Sequence, residues 1–341
     1  MDFFPLIKVF SLSTLSFFIA MLWAPLLTGF LCRYRLGKRI RDAKEAPVMA
    51  GLHAAKEGTP TMGGVLIWGT TLAFALVLPL VFTPFSFLSR AETYLPLGAL
   101  IASALVGLVD DFFNIRKMGA HGGGLRMRHR LFIYTAIAAV GAWWFFVKLD
   151  WHTLHVPFWG NVDVSWWYIP IFIFIIVATA FSVNEIDGLD GLAGGTLLMA
   201  FGAYGAIAFI QGRYDLAAFI GVIVGALVAF LWFNINPARF FMGDTGAMSL
   251  GVTLGVIAML TNSALLLPLI GLMFVIESLS VILQITSRKL FHRKIFRSSP
   301  IHHHFEAIGW KEPQIVMRFW MIAGVTAVAG LVLFLVDRMV T

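Results

Sequence analysis

Three short acidic clusters in this chain have the residue types that handle phosphate and divalent metal. Asp110 and Asp111 end the apolar run Leu105-Val106-Gly107-Leu108-Val109. Two adjacent carboxylates repel each other, so something positive must face them, and Arg116 and Lys117 are the nearest basic residues in sequence. A second cluster, Asn184-Glu185-Ile186-Asp187-Gly188-Leu189-Asp190-Gly191, joins two apolar runs. Its Asn184, Asp187 and Asp190 are spaced by three, so a continuing helix would place them on one face. The third cluster runs from Phe233 and Asn234 to Phe241-Met242-Gly243-Asp244, with Asp244 in position to cap the helix that follows. Any one of these could be an ordinary turn or cap. Three together, each at the end of an apolar run, read as a site for Mg²⁺ or Mn²⁺ and phosphate, since hard oxygen ligands suit these ions and Mg²⁺ uses only one or two protein carboxylates.

Two further stretches could bind anions. Lys56-Glu57-Gly58-Thr59-Pro60-Thr61-Met62-Gly63-Gly64 reads as a helix start with Thr59 as N-cap and Pro60 in the first turn. It is a phosphate cradle without the spacing of a P-loop. Pro300-Ile301-His302-His303-His304 places three imidazoles in a row, poor spacing for a zinc pair but suited to a phosphate or a polar headgroup. Glu277 stands alone inside an apolar run, where it would face a neighbouring helix or a polar cavity.

The elements that must hold these residues are membrane helices. The chain has 341 residues, of which 59% are hydrophobic and only 13% charged. At about 20 residues per span that content supports roughly ten spans and excludes an ordinary soluble domain. Uncharged runs lie at about 10–32, 61–82, 94–110, 130–148, 166–186, 188–210, 216–234, 245–262, 264–287 and 315–336. The first is too long for a cleavable leader and ends in Arg33, Arg35, Lys38, Arg39 and Arg41, so it reads as an anchor. One cysteine, Cys32, excludes a disulfide framework.

If successive loops alternate sides, loops 33–60, 111–130, 185–190, 235–244 and 288–318 share one side and carry 20 of the 25 Lys and Arg. That side is expected to be cytoplasmic, with both termini outside. The net charge of +7 then reflects membrane orientation and not nucleic-acid binding. The Trp-rich stretch 151–167 reads as an outer interfacial belt. The expectation is one all-α integral membrane domain over residues 1–341, its active site at the cytoplasmic face.

The stretches Lys56 to Gly64, Val109-Asp110-Asp111, Asn184 to Gly191, Phe241 to Asp244 and Pro300 to His304, followed by Arg318-Phe319-Trp320, occur in an order that resembles the polyprenyl-phosphate N-acetylhexosamine-1-phosphate transferases. The Gly-Thr-Pro-Thr-Met-Gly-Gly and His-run motifs resemble the phospho-N-acetylmuramoyl-pentapeptide transferase branch in particular. The resemblance implies a multi-pass protein of the bacterial cytoplasmic (inner) membrane. It would transfer phospho-N-acetylmuramoyl-pentapeptide from its UDP carrier to undecaprenyl phosphate with Mg²⁺, releasing UMP, and a homodimer is compatible with it. It further implies that Asp110 and Asp111 hold or activate the prenyl phosphate, that Asp244 is the main Mg²⁺ ligand with Asp187 beside it, and that Asn184 and Asp187 line the nucleotide side. Lys56, Thr61, Asp190, Asn234, His302, His303 and His304 would bind substrate. The chain departs from the pattern at Arg130, Tyr134 and Ala247, where Lys, Gln and Ser are common. Two other readings are a transferase of a UDP-N-acetylhexosamine without peptide, and an ion-coupled transporter, whose acids would instead lie near the bilayer midplane.

Overall fold

Long apolar runs must satisfy their backbone groups internally in lipid, and helices do so within each segment. The computed structural model describes residues 3–37, 56–90, 92–116, 118 and 124–340. Lys38, Arg39, Arg41 and Lys117 lie outside the described residues. The helices are α1 (Phe4–Arg33), α2 (Val65–Val81), α3 (Tyr94–Ile115), α4 (Met127–Trp143), α5 (Tyr168–Ile186), α6 (Leu192–Ile210), α7 (Tyr214–Asn234), α8 (Gly243–Leu260), α9 (Leu267–Ile270), α10 (Leu272–Leu290), α11 (Ile301–Ala307) and α12 (Glu312–Val340). Among the described residues, eight helices are long and apolar enough to cross a membrane. A ninth span forms if the bent pair Ala264–Ile270 and Leu272–Leu290 counts as one, and α2 is a shorter apolar helix.

Two helices form the core. Fully 94% of the apolar window of α8 and 83% of that of α7 is buried, against 28% for α1, α4 and α12, which leave broad faces toward lipid. Helix α8 packs against α3 and α5, while α7 packs against α1 and α6, and α12 covers α6. Small residues set these approaches, as close backbone packing in membranes requires. A Cβ at Gly107 of α3 would lie 2.5 Å from the Asp244 carbonyl oxygen, and one at Gly251 of α8 would lie 2.8 Å from Ala180 Cα of α5.

Four expectations change. The run 264–287 is not one straight helix: its two parts meet at 81° around Gly271. The 61–82 run begins its helix only at Val65, because Pro60 pairs with Gly37 in a β-bridge and Met62 turns to φ 70°, so Thr59 is not the N-cap. The stretch 151–167 folds a hairpin, β1 (Thr153–Val156) against β2 (Gly160–Asp163), with Trp159, Trp166 and Trp167 more than 70% exposed. Loops 111–130 and 288–318 are partly helical, because α3 runs on to Ile115 and α11 lies within the second.

Helix α10 is polar inward and apolar outward. Glu277, Ser280, Gln284 and Ser287 are buried, whereas Leu279, Ile282, Leu283 and Ile285 are exposed. Such a face is stable only if lipid covers the apolar side and protein satisfies the polar one. Gln284 accepts the amide hydrogens of Ile295 and Phe296 and donates to the Phe296 carbonyl, and Ser287 donates to the Arg293 carbonyl. The polar face thereby fixes the segment that leads into α11.

Candidate active site

The carboxylate pair at the end of α3 meets the start of α8. Asp111 Oδ1 accepts the Asp244 amide hydrogen at 3.1 Å and Oδ2 accepts that of Thr245 at 3.0 Å. Asp111 therefore caps α8 from a neighbouring helix, satisfying amides that have no partner within α8 itself. Asp244 is not the cap expected from sequence; it lies in the first turn of α8, its carboxylate free to face elsewhere. Thr245 Oγ1 adds a bond to the Ala104 carbonyl of α3, 2.7 Å away. The approach depends on glycine. Gly243 has φ 74°, and a Cβ there would meet Asp111 Oδ2 at 2.6 Å and Thr61 Oγ1 at 2.7 Å. The segment before α2 joins the same corner, with Gly63 and Gly64 donating to the carbonyls of Phe241 and Met242 at 2.8 and 2.9 Å. Thr61 is buried, and its hydroxyl makes no hydrogen bond.

The positive charge demanded by the pair comes from Arg130 at the start of α4, not from Arg116, which lies over the Phe112 ring. Arg130 Nη2 is 2.6 Å from Asp110 Oδ2 and 2.9 Å from Asp244 Oδ2, and Nη1 donates to Asn184 Oδ1 at 3.1 Å. Asn184 Nδ2 in turn donates to Asp244 Oδ1 at 2.7 Å. Asp110 Oδ1 accepts the Leu125 amide hydrogen at 2.6 Å. Helices α3, α4, α5 and α8 thus bring Asp110, Arg130, Asn184 and Asp244 into one cluster, with Asp110 fully buried and Asp244 14% exposed at its side chain. Sequence reading met Arg130 only as a departure from a pattern; the unbalanced charge of Asp110 and Asp111 was the signal that a cation had to come from elsewhere.

A second cluster forms beside it. Helix α5 stops at Ile186, with Asp187 as its C-cap, and Gly191 turns to φ 81°. The three-residue spacing is therefore broken: Asn184 faces the Arg130 cluster, whereas Asp190 turns toward Lys56. Lys56 Nζ is 2.7 Å from Asp190 Oδ1 and 2.5 Å from Glu312 Oε1. Glu312 Oε1 also accepts the Asp190 amide hydrogen at 2.7 Å, and Asn236 Nδ2 donates to both carboxylates, at 3.0 and 3.2 Å. Glu312, at the first turn of α12, is absent from the sequence-derived set because nothing in its local context marks it. Asn234 braces the same turn, accepting from the Gly191 amide and donating to the Phe240 carbonyl.

The three histidines take different polar partners. His302 and Glu277 are both fully buried, with Nδ1 3.0 Å from Oε2, and the other ring nitrogen lies against Gly188, next to Asp187. His303 Nδ1 is 2.7 Å from Glu306 Oε2, and His304 Nδ1 accepts the Arg297 amide hydrogen. The run therefore sits under the Asp187–Gly191 turn, held there by the polar face of α10.

Among the described residues there is no group of three or more His, Cys, Asp or Glu set to hold a metal. The donor set still fits Mg²⁺. Asp110 and Asp244, both hard oxygen ligands, already converge on one cationic atom, and Mg²⁺ requires only one or two carboxylates when phosphates and water complete its shell.

Comparison with known proteins bears on these same segments. Residues 93–262, spanning α3 to the end of α8, match the family model for Glycosyl transferase family 4. Residues 56–67, containing Lys56, Thr61 and the Gly63-Gly64 approach, match the phospho-N-acetylmuramoyl-pentapeptide-transferase signature 1. The phospho-N-acetylmuramoyl-pentapeptide-transferase of Chloroflexus aurantiacus is 40% identical over 321 residues, covering 90% of this chain and 84% of that protein. That of Geobacillus thermodenitrificans is 41% identical over 319 residues, covering 93% and 94%, and that of Bacillus velezensis is 39% identical over 321. With both motif-bearing corners matched and the likeness running through nearly the whole chain, this membrane protein belongs to the phospho-N-acetylmuramoyl-pentapeptide transferase family.

Proposed function

We propose that the chain transfers phospho-N-acetylmuramoyl-pentapeptide from UDP to undecaprenyl phosphate, releasing UMP, and that the Arg130-centred cluster is where the transfer occurs. The convergence of Asp110 and Asp244 on one cation at the ends of four helices carries the reading. In the reaction an oxygen of the prenyl phosphate attacks the sugar-bearing phosphorus, the pyrophosphate P–O bond breaks, and the pair of electrons leaves with UMP. Both reactants are anions, so charge neutralisation and positioning are the main requirements. Mg²⁺ when bound would supply that neutralisation, held by Asp244 with Asp187 or Asp110 as the second carboxylate.

Direct attack is favoured over a phospho-enzyme. Both oxygens of Asp111 accept backbone amides, which makes it a positioning residue for Asp244, and Asp110 is fully buried with its charge faced by Arg130, which lowers its value as a nucleophile. A phosphate monoester with a second pKa of about 6 already presents a nucleophilic oxygen near neutral pH. Lys56, with Asp190, Glu312 and Asn236, is suited to grip the UDP donor, and His302 to His304 support the neighbouring turn. The outward apolar side of α10 offers lipid contact beside this end of the bundle, where a prenyl tail and a water-soluble nucleotide can meet. The site lies at the cytoplasmic face of the bacterial inner membrane, and both termini lie outside, as the Lys and Arg distribution indicates.

The test is UMP release by the purified chain given UDP-N-acetylmuramoyl-pentapeptide, undecaprenyl phosphate and Mg²⁺, with and without EDTA. Metal-dependent release that needs both substrates is expected. Turnover only with UDP-N-acetylglucosamine would assign the chain a different donor.

A further inference from the structure

A single nitrogen, Arg130 Nη2, serves two carboxylates that come from different helices: Asp110 Oδ2 at 2.6 Å and Asp244 Oδ2 at 2.9 Å. That is the placement of a bridging cation. It differs from the usual fork in which a guanidinium engages one carboxylate through two nitrogens. The remainder of the group is under-used: Nε is buried without a hydrogen bond, and Nη1 reaches only the Asn184 amide oxygen. Asp110 is fully buried, and without a cation beside it two carboxylates facing each other across α3 and α8 would repel in a poorly screened setting. Asp244 meanwhile has its other oxygen engaged by Asn184 Nδ2. Asp110 Oδ2 is buried without a hydrogen bond and is faced by the charge of Arg130 Nη2, so a metal drawn to Asp110 and Asp244 meets Arg130 in the same place.

We propose that Arg130 is a tethered counter-ion that competes with the divalent metal for Asp110 and Asp244. It holds the two carboxylates together in the metal-free protein and yields them when metal enters. The inference rests on the reading of Asp244 as a metal ligand. It makes Arg130 a positioning residue whose removal weakens the metal-free fold while strengthening metal binding, a pair of opposite effects that a purely structural arginine would not produce. A general loss of positive charge is separable from it, because Arg128 lies two residues away on the same helix and is exposed.

The test uses the full chain in detergent, stripped with EDTA, with Mn²⁺ as the probe. Free Mn²⁺ is counted by its paramagnetic resonance, and thermal unfolding is followed with and without the ion. Arg130→Gln is expected to bind Mn²⁺ at least about tenfold more tightly than the unmodified chain, to unfold at a lower temperature in EDTA, and to recover more of that loss on adding Mn²⁺. Arg128→Gln should stay within about twofold in affinity. Unchanged or weaker Mn²⁺ binding by Arg130→Gln, with binding by the unmodified chain intact, would overturn the competition and leave the metal reading standing. No Mn²⁺ binding by either protein would overturn both. If Arg130→Gln does not fold even with Mn²⁺, Arg130→Lys decides: an ammonium can bridge two carboxylates, as Lys56 does, but the lysine side chain is one bond shorter than arginine and has no second nitrogen for Asn184, so it holds the pair less firmly and must bind Mn²⁺ more tightly than the unmodified chain or the proposal fails.

Discussion

The Arg130 cluster and the Lys56 cluster use similar chemistry, a cation between two carboxylates with an asparagine amide alongside, yet they are mounted differently. Asp110, Arg130, Asn184 and Asp244 each stand on a membrane helix, and the crossings of those helices are set by glycine contacts that allow little movement. Lys56, Asp190 and Asn236 stand on connecting segments, and only Glu312 belongs to a helix, at its first turn. Rigid mounting suits groups that must meet a reacting phosphorus in one geometry, whereas connecting segments can follow a nucleotide as it enters and leaves. On the proposed function, labour is divided between a fixed centre for the chemistry and an adjustable grip for the donor.

That division is broken most severely at Asp244. Asp244→Asn should lower kcat by about 10³-fold or more, with EDTA causing little further loss, as measured by UMP release. Near-normal turnover with unchanged Mg²⁺ dependence would remove the fixed centre from the mechanism. Asp111→Asn tests the mounting itself. Asp111 uses a different oxygen for each of the Asp244 and Thr245 hydrogens, and Asn would set an NH2 against one of them, so about 1–3 kcal/mol of stability should go, together with most of the turnover, read as a lower unfolding temperature and a reduced kcat. A fall in kcat without loss of stability would instead give Asp111 a direct part in the chemistry.

The donor grip should respond in a different parameter. Glu312→Ala removes one of the two carboxylates on Lys56 and the acceptor for the Asp190 amide. KM for the UDP donor is expected to rise about tenfold with kcat within threefold, and Glu312→Gln, which keeps one acceptor oxygen for Lys56 and the Asp190 amide but not the charge, should recover part of the loss. A kcat effect as large as that of Asp111→Asn would mean that the two clusters act as one.

The sequence made the two regions unequally legible. Helices were readable because an apolar stretch of about twenty residues has few alternatives in lipid, and the acids stood out because carboxylates at the ends of such stretches are costly. The partners were not readable, since pairing across helices depends on crossings that no local pattern records. Arg130 opens α4 some twenty residues from Asp110, and Glu312 lies more than a hundred from Asp190. Local geometry misled where backbone contacts between distant segments overrode local preference. Thr59-Pro60 has the composition of a helix start, but the bridge of Pro60 to Gly37, the turn at Met62 and the bonds of Gly63 and Gly64 to Phe241 and Met242 delay the helix to Val65. Asp244 has the composition of a cap, but Asp111 reaches its helix first.

The smallest effect separates the histidine run from the remaining basic residues of its segment. His303 pairs with Glu306 in α11 and packs its ring 4.0 Å from that of His302, which touches the turn carrying Asp187 and Asp190. His292 stands in the exposed stretch after α10, ahead of that arrangement. Replacing His303 with Ala should therefore loosen the turn and lower kcat/KM for the donor about fivefold, whereas His292→Ala should change it less than twofold. Because His303 acts through the turn, its loss should appear mainly in KM, beside that of Glu312→Ala and apart from the kcat losses at Asp244 and Asp111. Equal effects of the two histidine replacements would detach the run from the donor grip and leave α11 as a brace for α10 alone.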